Sequence, residues 1–472
     1  MTSSSRPTVR PKPGAIPVLP SKLNALARIT GFLKRQAKKL TPAVFIQAVL
    51  VCAASGRCTF RDLATEIGIL TGFTYSRQAL WERIGSASVD FLKGAVALAL
   101  KENAKSIPSL KLKNLPNVTR ILIGDSSVFT LHPRLYQDFP GGSNHIEGQH
   151  SAQCRFQLVF DLITGKWLQT KLDPYARNDR AAAWDIVDHV IEQGDLIIRD
   201  LGYAVTGCLQ AIADKGAYFL SRLNTVAAVL DETNQRIDLL ALARSKAPNA
   251  GDSCSAWVKL SKTEQLSCRL ILINEGEEVG NTRRRRLNRD SKRRGSSHTK
   301  DYLALQNWTL LVSNLGEESA NETQFKELYR IRWRIENIFK LAKSQTSLAK
   351  MAAHHSNRHH VELMIWGWIL FMIGLTQRGV FAIATLNPLP KSDNGDQFFE
   401  ARGTDQSIFK AIAKIIEWTR LQIELTAVGS IEELTRRLEE QCRYHDRYDK
   451  REDRISLPRR FELALTGEYT LP

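Results

Sequence analysis

ELYRIRWRIENIFKLAKSQ, residues 327–345, predicts one long helix with an unusual distribution of polar side chains. At roughly 100° per residue, four of them fall within about 60° of one another on a single face: Tyr329, Arg332, Glu336 and Lys343. An apolar stripe lies beside this polar row. One carboxylate among two cations and a phenol suits a site that binds nucleic-acid phosphate and a divalent metal. Spacing alone leaves open a solvated face on which Glu336 pairs with Arg332 and Lys340.

The pattern formed by these four residues, Y-x2-R-x3-E-x6-K, resembles the signature of the insertion-sequence-four family of bacterial DDE transposases. Four fixed residue types at fixed spacing make a chance match rare. The resemblance extends with motifs over about residues 118–375. It also implies that two further aspartates lie upstream, at the ends of strands.

The charge of the chain favours a polyanionic partner. Its 472 residues, enough for about two to four folded units, carry 66 Lys plus Arg against 49 Asp plus Glu, a net charge of +17. Nucleic acid is the expected partner before a membrane surface.

The cellular compartment follows from cysteine usage and the apolar runs. Seven scattered cysteines without a C-x-x-C pair indicate reduced thiols in a cytosol and no zinc module. The opening twenty residues hold five prolines and no signal-peptide core. The longest apolar run, LMIWGWILFMIGL, has 13 residues and is too short to span a bilayer. We therefore predict a cytoplasmic bacterial protein that associates with the nucleoid when bound to DNA.

The N-terminal part predicts a flexible basic arm (1–21) and a helical DNA-binding region (22–115). A basic amphipathic helix is expected over residues 22–40, and Thr41-Pro42 starts the next. Thr59 with Asp62 predicts a capping arrangement, and a further helix begins near Ser76. Two short helices joined by a turn suit a helix-turn-helix that reads DNA, although a plain basic helical bundle fits equally.

Residues 116–222 predict the first part of a ribonuclease H-like core in an α/β fold. TRILIGD ends a buried strand at Asp125, and DLIIRD ends another at Asp200. Between them lie a hairpin and a helix, RAAAWDIVDHVIEQ, capped by Asn178 or Asp179. The order strand, strand, strand, helix, strand, helix, strand is that of the ribonuclease H fold, in which the first and fourth strands are neighbours.

The mixed sheet core is then interrupted by a mostly β insertion subdomain (223–319). Its basic run, 283–300, has nine cations and one acid and predicts a solvated, mobile loop that adds phosphate contacts. Residues 320–376 complete the core with the signature helix. Residues 377–472 predict a helical C-terminal region that serves either core completion or dimerisation.

Three carboxylates, Asp125, Asp200 and Glu336, can hold two Mg²⁺ ions, with Mn²⁺ as a substitute, for in-line phosphoryl transfer. The resemblance implies that water first nicks the element's end and that the released 3′ hydroxyl then attacks target DNA. It also implies that Tyr329, Arg332 and Lys343 grip the phosphates around the cleaved end.

Two more residues are singled out by the resemblance. Trp308 resembles a tryptophan that stacks on a flipped base when the DNA end forms a hairpin, an interaction of about 1–3 kcal/mol; a core residue at a strand start is the alternative. Arg222 resembles an arginine that contacts DNA near that base.

The expected function is therefore a cut-and-paste DNA transposase that binds terminal inverted repeats and target DNA as a homodimer in the synaptic complex, without a membrane. Two alternatives stay open. One is a catalytically inactive DNA-binding regulator, and the other is a ribonuclease H-like nuclease without strand transfer.

Overall fold

A computed structural model describes residues 20–36, 39–56, 59–104, 115, 117–142, 150–162, 166–223, 225, 227–332, 335–336, 338–340, 348–377, 423–424 and 428–445. The chain divides into two units. The first contains the described residues within Met1–Val96, Glu362–Phe371 and Ala413–Pro472, and the second those within Ala97–Val361 and Met372–Ile412.

The helices follow one another along the whole chain. They are α1 (Pro20–Ile29), α2 (Pro42–Ser55), α3 (Phe60–Thr71), α4 (Arg77–Arg83), α5 (Ser86–Ala104), α6 (Asp179–Ala182), α7 (Asp185–His189), α8 (Thr206–Asp214), α9 (Leu239–Lys246), α10 (Gly276–Arg294), α11 (Lys300–Ala304), α12 (Glu322–Ile331), α13 (Leu348–His354), α14 (Arg358–Gln377) and α15 (Ile431–His445). Within the described residues, none of these helices combines the length and the apolar character needed to cross a membrane.

The strands all belong to the second unit. They are β1 (Arg120–Leu131), β2 (Ala152–Asp161), β3 (Trp167–Pro174), β4 (Asp195–Arg199), β5 (Tyr218–Arg222), β6 (Val229–Leu230), β7 (Ser253–Leu260), β8 (Leu266–Asn274) and β9 (Trp308–Ser313).

Helix starts in the first unit are confirmed where the sequence signals them. Thr41 accepts a hydrogen bond from the Val44 amide at the start of α2. Thr59 and Asp62 form a complete capping box at α3, and Ser76 caps α4. Side-chain oxygens at these positions satisfy backbone donors that a helix leaves unpaired at its first turn.

The basic helix predicted over residues 22–40 is wrong in length, because α1 ends at Ile29. Gly31 has a φ of 73°, in the left-handed region that terminates helices. Its amide and that of Leu33 bond back to the carbonyls of Arg28 and Ala27, which closes the last turn.

The strands form one nine-stranded mixed sheet in the order β3-β2-β1-β4-β5-β9-β8-β7-β6. β1, β4 and β5 run parallel to one another, β2 is antiparallel to β1, and β3 is antiparallel to β2. This half of the sheet confirms the ribonuclease H order predicted from the sequence. The hairpin and the adjacency of the first and fourth strands are both as expected.

One face of the core sheet is covered by α6, α7 and α8, which share an apolar cluster with the inward residues of β1, β2 and β4. The single helix predicted from RAAAWDIVDHVIEQ is wrong, since α6 and α7 are separated at Ala183–Trp184. The Ala183 carbonyl accepts from Arg199 and from the Cys208 thiol. In a continuous helix this carbonyl would accept from a backbone amide of the next turn. Here it accepts from side chains of β4 and α8 instead.

The insertion extends the core sheet, because β9 pairs antiparallel with β5. The strands β8, β7 and β6 then follow in that order toward the edge of the sheet. All four strands predicted within it are present. Most of the basic run is not a loop as predicted, since its residues 283–294 belong to the 19-residue helix α10. Glu277 and Glu278 lie in its first turn, where they suit the helix dipole, and Gly295 ends it with a φ of 65°.

A buried ion pair joins the N-terminal end of β1 to the N-terminal end of β4. Asp195 is fully buried, and Arg120 donates to both of its oxygens at 2.6 Å. Removing one partner of such a pair leaves an uncompensated buried charge. Arg120 also binds the Val190 carbonyl, so it fastens the end of the helical layer to the strand.

We predict that Arg120→Met lowers the free energy of unfolding by about 3–5 kcal/mol, because Asp195 stays buried without its cation. Urea unfolding followed by circular dichroism measures this. Arg180→Met, which removes an exposed arginine of the same unit, is the matched control. Equal midpoints for the two variants would show that the pair is not needed for stability.

Candidate active site

Two aspartates come together because of the register between β1 and β4. The last parallel pair matches Gly124 with Arg199, β4 ends there, and Asp200 follows. Asp125 is the next residue of β1, so the two acids lie beside each other. The prediction that Asp125 ends its strand is wrong: β1 continues to Leu131, paired with β2 alone.

The signature segment begins earlier than predicted and is not one uniform helix. Asn321 and Gln324 form a capping box at the start of α12, which ends at Ile331. The Arg332 amide bonds to the Tyr329 carbonyl at 3.1 Å, a spacing of three residues that tightens the turn. Residues 335–336 and 338–340 are again helical. Lys343 lies outside the described residues.

Arg332 connects the sheet to the third acid. One of its terminal nitrogens donates to Asp125 Oδ2 at 2.9 Å, and the other to Glu336 Oε1 at 3.2 Å. The Tyr329 hydroxyl donates to Asp200 Oδ1 at 2.9 Å. The three predicted acids and two of the predicted phosphate-binding residues therefore form one cluster.

Burial dominates the electrostatics of this cluster. It raises the pKa of Asp125 to about 6, and the neighbouring charges of Asp200 and Asp179 add to the increase. The Ser126 amide and Arg332 oppose it by stabilising the carboxylate. Burial, and then the charge of Asp200, also raise the pKa of the Tyr329 phenol. The phenol is therefore protonated at neutral pH and acts as a donor.

A polar network beneath the cluster was missed by reasoning from the sequence. Asp179 accepts from the Ser126 hydroxyl at 3.0 Å and from Arg155 at 2.8 Å. From the sequence, Asp179 was predicted only as a possible helix cap. The available signal was on β2, where Arg155 and Gln157 alternate with the apolar residues Cys154, Phe156 and Leu158.

Arg199 underlies the two aspartates from the opposite face of the sheet. It is buried and stacks on the Tyr203 ring with its guanidinium carbon 3.7 Å from the ring centre. A Cβ at Gly124 would lie 3.1 Å from Arg199 Nε. Glycine before Asp125 therefore lets this cation approach the strand directly below the acids.

A cleft of about 810 Å³ opens from the cluster along the insertion. Asp200, Glu336 and Tyr329 line one part of it, and basic side chains line much of the rest: Arg222, Arg283, Arg286, Lys326 and Arg330. Arg222 thus lies in the same cleft as Asp200 and Glu336.

Trp308 is placed differently from what base stacking requires. Its side chain is 6% exposed, belongs to the apolar cluster and forms part of the cleft wall. Its indole N–H donates to the Ala247 carbonyl at 2.9 Å. A ring that is almost wholly buried, with its N–H bonded to a backbone carbonyl, favours the alternative of a core residue at the start of β9.

The donor set of the cluster fits a divalent cation such as Mg²⁺, which prefers carboxylate oxygens. As the described residues are placed, no three His, Cys, Asp or Glu side chains are grouped to hold an ion. Arg332 instead occupies oxygens of Asp125 and Glu336. The raised pKa of Asp125 indicates that this guanidinium does not fully compensate the buried charge.

Two adjacent aspartates on a ribonuclease H-like sheet, with a glutamate supplied after an insertion, define a nucleic-acid-processing enzyme of the DDE class. The chain belongs to the family described as transposase DDE domain, whose model matches residues 116–372. It is a DNA transposase of the insertion-sequence-four-like kind, as the resemblance implied.

The sequence identity between this chain and individual relatives is about a quarter. Over 341 residues, the chain is 25% identical to the transposase for insertion sequence element IS231B of Bacillus thuringiensis, covering 69% of this chain and 70% of the relative. The IS1151 transposase of Clostridium perfringens is 24% identical over 69% of this chain and 71% of its own length. A solved piggyBac transposase synaptic complex with hairpin DNA aligns over 94% of this chain and 85% of that chain at 11% identity, with a TM-score of 0.33.

We predict that Asp125→Asn stabilises the protein at alkaline pH. The folded-state pKa of about 6 exceeds the ordinary 3.8, so the stability that protonated Asp125 contributes is complete below pH 3.8 and lost as pH rises through about 6. Two pKa units correspond to about 3 kcal/mol. Urea unfolding of both proteins at about pH 4.5 and about pH 8 in a chelator tests this.

The advantage of the Asn variant should grow between the two pH values and level off above about pH 7. Asp188→Asn, at an exposed position in the same unit, should show no such growth. A constant difference between Asp125→Asn and wild type at both pH values would contradict the assignment.

Proposed function

We propose that this transposase cleaves DNA at the ends of its element and transfers the 3′ hydroxyl into target DNA. The observation that carries the proposal is the cluster of Asp125, Asp200 and Glu336, reached by a cleft with a basic wall. Acids of this kind suit phosphoryl transfer, and the cations beside them suit a polyanionic substrate.

The three acids would hold two Mg²⁺ ions, which supply positive charge to the attacking and leaving oxygens. Asp125 and Asp200 are set by the sheet, so their spacing is rigid. Glu336 comes from the helical segment, and its side chain is 37% exposed, against 18% for Asp125. We propose that Glu336 adjusts its position when the site is loaded.

Arg332 and Tyr329 have roles in the same proposal. Arg332 now neutralises the two carboxylate oxygens that a metal would take, and we propose that it turns to a DNA phosphate in the loaded site. Tyr329 orients Asp200 through its hydroxyl. On the grounds of the resemblance, Lys343 is proposed as a further phosphate contact and Arg222 as a DNA contact near a flipped base.

Recognition of the element's ends is proposed to fall to the helical region 22–115. Helix α4 follows α3 after a turn and exposes Arg77, Gln78, Trp81 and Arg83 to solvent. Such a surface suits the second helix of a helix-turn-helix. We further propose a homodimer in the synaptic complex and a cytoplasmic, nucleoid-associated location.

We predict that Asp125→Asn and Glu336→Gln each abolish Mg²⁺-dependent nicking of DNA that carries the element's terminal repeats, because each removes a metal ligand. Binding of the same DNA, measured by gel shift, should remain within about threefold of wild type, since phosphate contacts dominate affinity. Retained nicking would sink the residue assignment.

The products separate the other functions. Nicking without joining to a target duplex would identify a nuclease, whereas DNA binding without nicking by the wild-type protein would identify a regulator. Glu327→Gln, which breaks only a pair with Arg330 on α12, is the matched control and should nick normally.

We also predict that Glu336→Gln weakens Mn²⁺ binding to the free protein at least tenfold, because a neutral amide replaces an ionised ligand. Electron paramagnetic resonance of free Mn²⁺ measures this without any reaction. Glu327→Gln again serves as the control. Unchanged Mn²⁺ affinity in Glu336→Gln would remove Glu336 from the metal site while leaving the transposase assignment intact.

A further inference from the structure

Asp179, the first residue of α6, lies against the chain next to both aspartates of the cluster. The parallel pairing of β1 with β4 ends at Gly124 and Arg199. β1 then continues with β2 as its partner, and the Ser126 hydroxyl donates to Asp179 Oδ1 at 3.0 Å. Asp179 therefore contacts β1 just beyond its last pair with β4, one residue after Asp125.

The other oxygen of Asp179 faces the turn that follows Asp200. A Cβ added at Gly202 would lie 3.1 Å from Asp179 Oδ2 and 3.3 Å from Asp179 Cβ. Glycine at position 202 thus lets the Asp179 side chain approach this turn closely. A single carboxylate is in this way packed against the segments that follow Asp125 and Asp200, although the two acids come from different strands.

Arg155 holds Asp179 in this position from β2. Its Nη1 atom donates to Asp179 Oδ1 at 2.8 Å and to the Ser126 hydroxyl at 3.1 Å, so three polar side chains contact one another. The Arg155 side chain is 10% exposed, and its guanidinium carbon lies 4.9 Å from the centre of the Tyr175 ring. A charge-assisted hydrogen bond is stronger than a neutral one, so Asp179 is a fixed acceptor for the Ser126 hydroxyl.

Ser126 transmits this position to Asp125 through its backbone. Its amide donates to Asp125 Oδ1 at 2.7 Å, while Asp125 Oδ2 is held by Arg332. In the loaded site proposed for this enzyme, Arg332 turns to a DNA phosphate, and the orientation of Asp125 then depends on the Ser126 amide. Mutation of residues that orient a metal ligand typically costs about 10–100-fold in metal affinity or activity.

We propose that Asp179 is a positioning residue, which orients Asp125 toward the metal by fixing Ser126. Asp179 is not among the described residues that line the cleft, so its role differs from that of a metal ligand or a DNA contact. The inference rests on the proposed function, because metal-dependent DNA cleavage is the reaction that Asp125 would serve.

The test separates the hydrogen bonds of Asp179 from its charge. Both bonds end on the same oxygen, Oδ1. Asp179→Asn keeps an acceptor at that atom, whereas Asp179→Ala removes it, and both variants lose the same charge. A difference between the two variants therefore measures the contacts that position Ser126.

Asp179→Ala should lower the rate of Mg²⁺-dependent nicking at saturating terminal-repeat DNA at least about tenfold. The DNA concentration that gives half of this rate should stay within about twofold of wild type, because phosphate contacts dominate DNA affinity. Binding of Mn²⁺ to the free protein, measured by electron paramagnetic resonance without DNA, should weaken about tenfold. In Asp179→Asn, the nicking rate and the Mn²⁺ affinity should both stay within about threefold of wild type.

Asp185→Ala is the matched control for a purely structural effect. Asp185 is ion-paired with Lys171 and Arg177, and its side chain is 22% exposed, against 29% for Asp179. This variant should lower the urea midpoint about as much as Asp179→Ala and leave nicking and Mn²⁺ binding unchanged.

Ser126→Ala tests the route from Asp179 to Asp125. It should reproduce the loss seen in Asp179→Ala, and the double variant should nick no more slowly than either single variant, because both changes break the same connection. Additive losses in the double variant would contradict this route.

Wild-type nicking in Asp179→Ala, or equal losses in Asp179→Ala and Asp179→Asn, would overturn the positioning role. Equal losses in Asp179→Ala and Asp185→Ala would do the same, because lower stability would then explain both. A wild-type protein that binds Mn²⁺ and does not nick the DNA would instead overturn the proposed function, so the two failures are distinguishable.

Discussion

The bridge that Arg332 makes between Asp125 and Glu336 is the interaction on which the site depends. Asp125 belongs to a strand of the sheet, and Glu336 follows the insertion by a helix and a turn. Without a cation between them, three carboxylates with little access to water would repel one another. The guanidinium therefore holds together two parts of the chain that are remote in sequence.

The insertion provides the geometry for this bridge. Its last strand, β9, returns to the core by pairing with β5, and Asn314 then bonds to the backbone of Phe219 and Ala217. Lys326 of α12 pairs with Glu275 at the end of β8. Because the helix is tied both to the core strand and to the insertion, Tyr329 reaches Asp200 from a fixed direction.

Much of this arrangement could be predicted from the sequence because it is encoded locally. Apolar runs that end in Asp125 and Asp200 identify buried strands, and the spacing of Tyr329, Arg332 and Glu336 places them on one side of a helix. Tertiary contacts could not be read in the same way. The extension of β1 past Asp125 depends on its pairing with β2, which local propensity does not report.

The basic helix α10 illustrates the same limit. Its sequence has no apolar periodicity and is typical of a solvated loop. The helix approaches Asn307 closely at Gly280, and its arginines bind backbone carbonyls of the turn before β9. The burial of Trp308 is also set by a contact remote in sequence, because the Ala247 carbonyl that accepts from its indole lies 61 positions earlier in the chain.

Stability and chemistry make opposite demands on Asp125. A carboxyl group with a pKa near 6 is ionised at neutral pH against the preference of its buried surroundings, and Arg332 and the Ser126 amide only partly relieve this. A protein selected for stability alone would place a neutral residue there. The destabilisation caused by ionised Asp125 is consistent with a site that binds a further positive charge. A carboxylate already fully compensated by the protein would gain little from binding a cation.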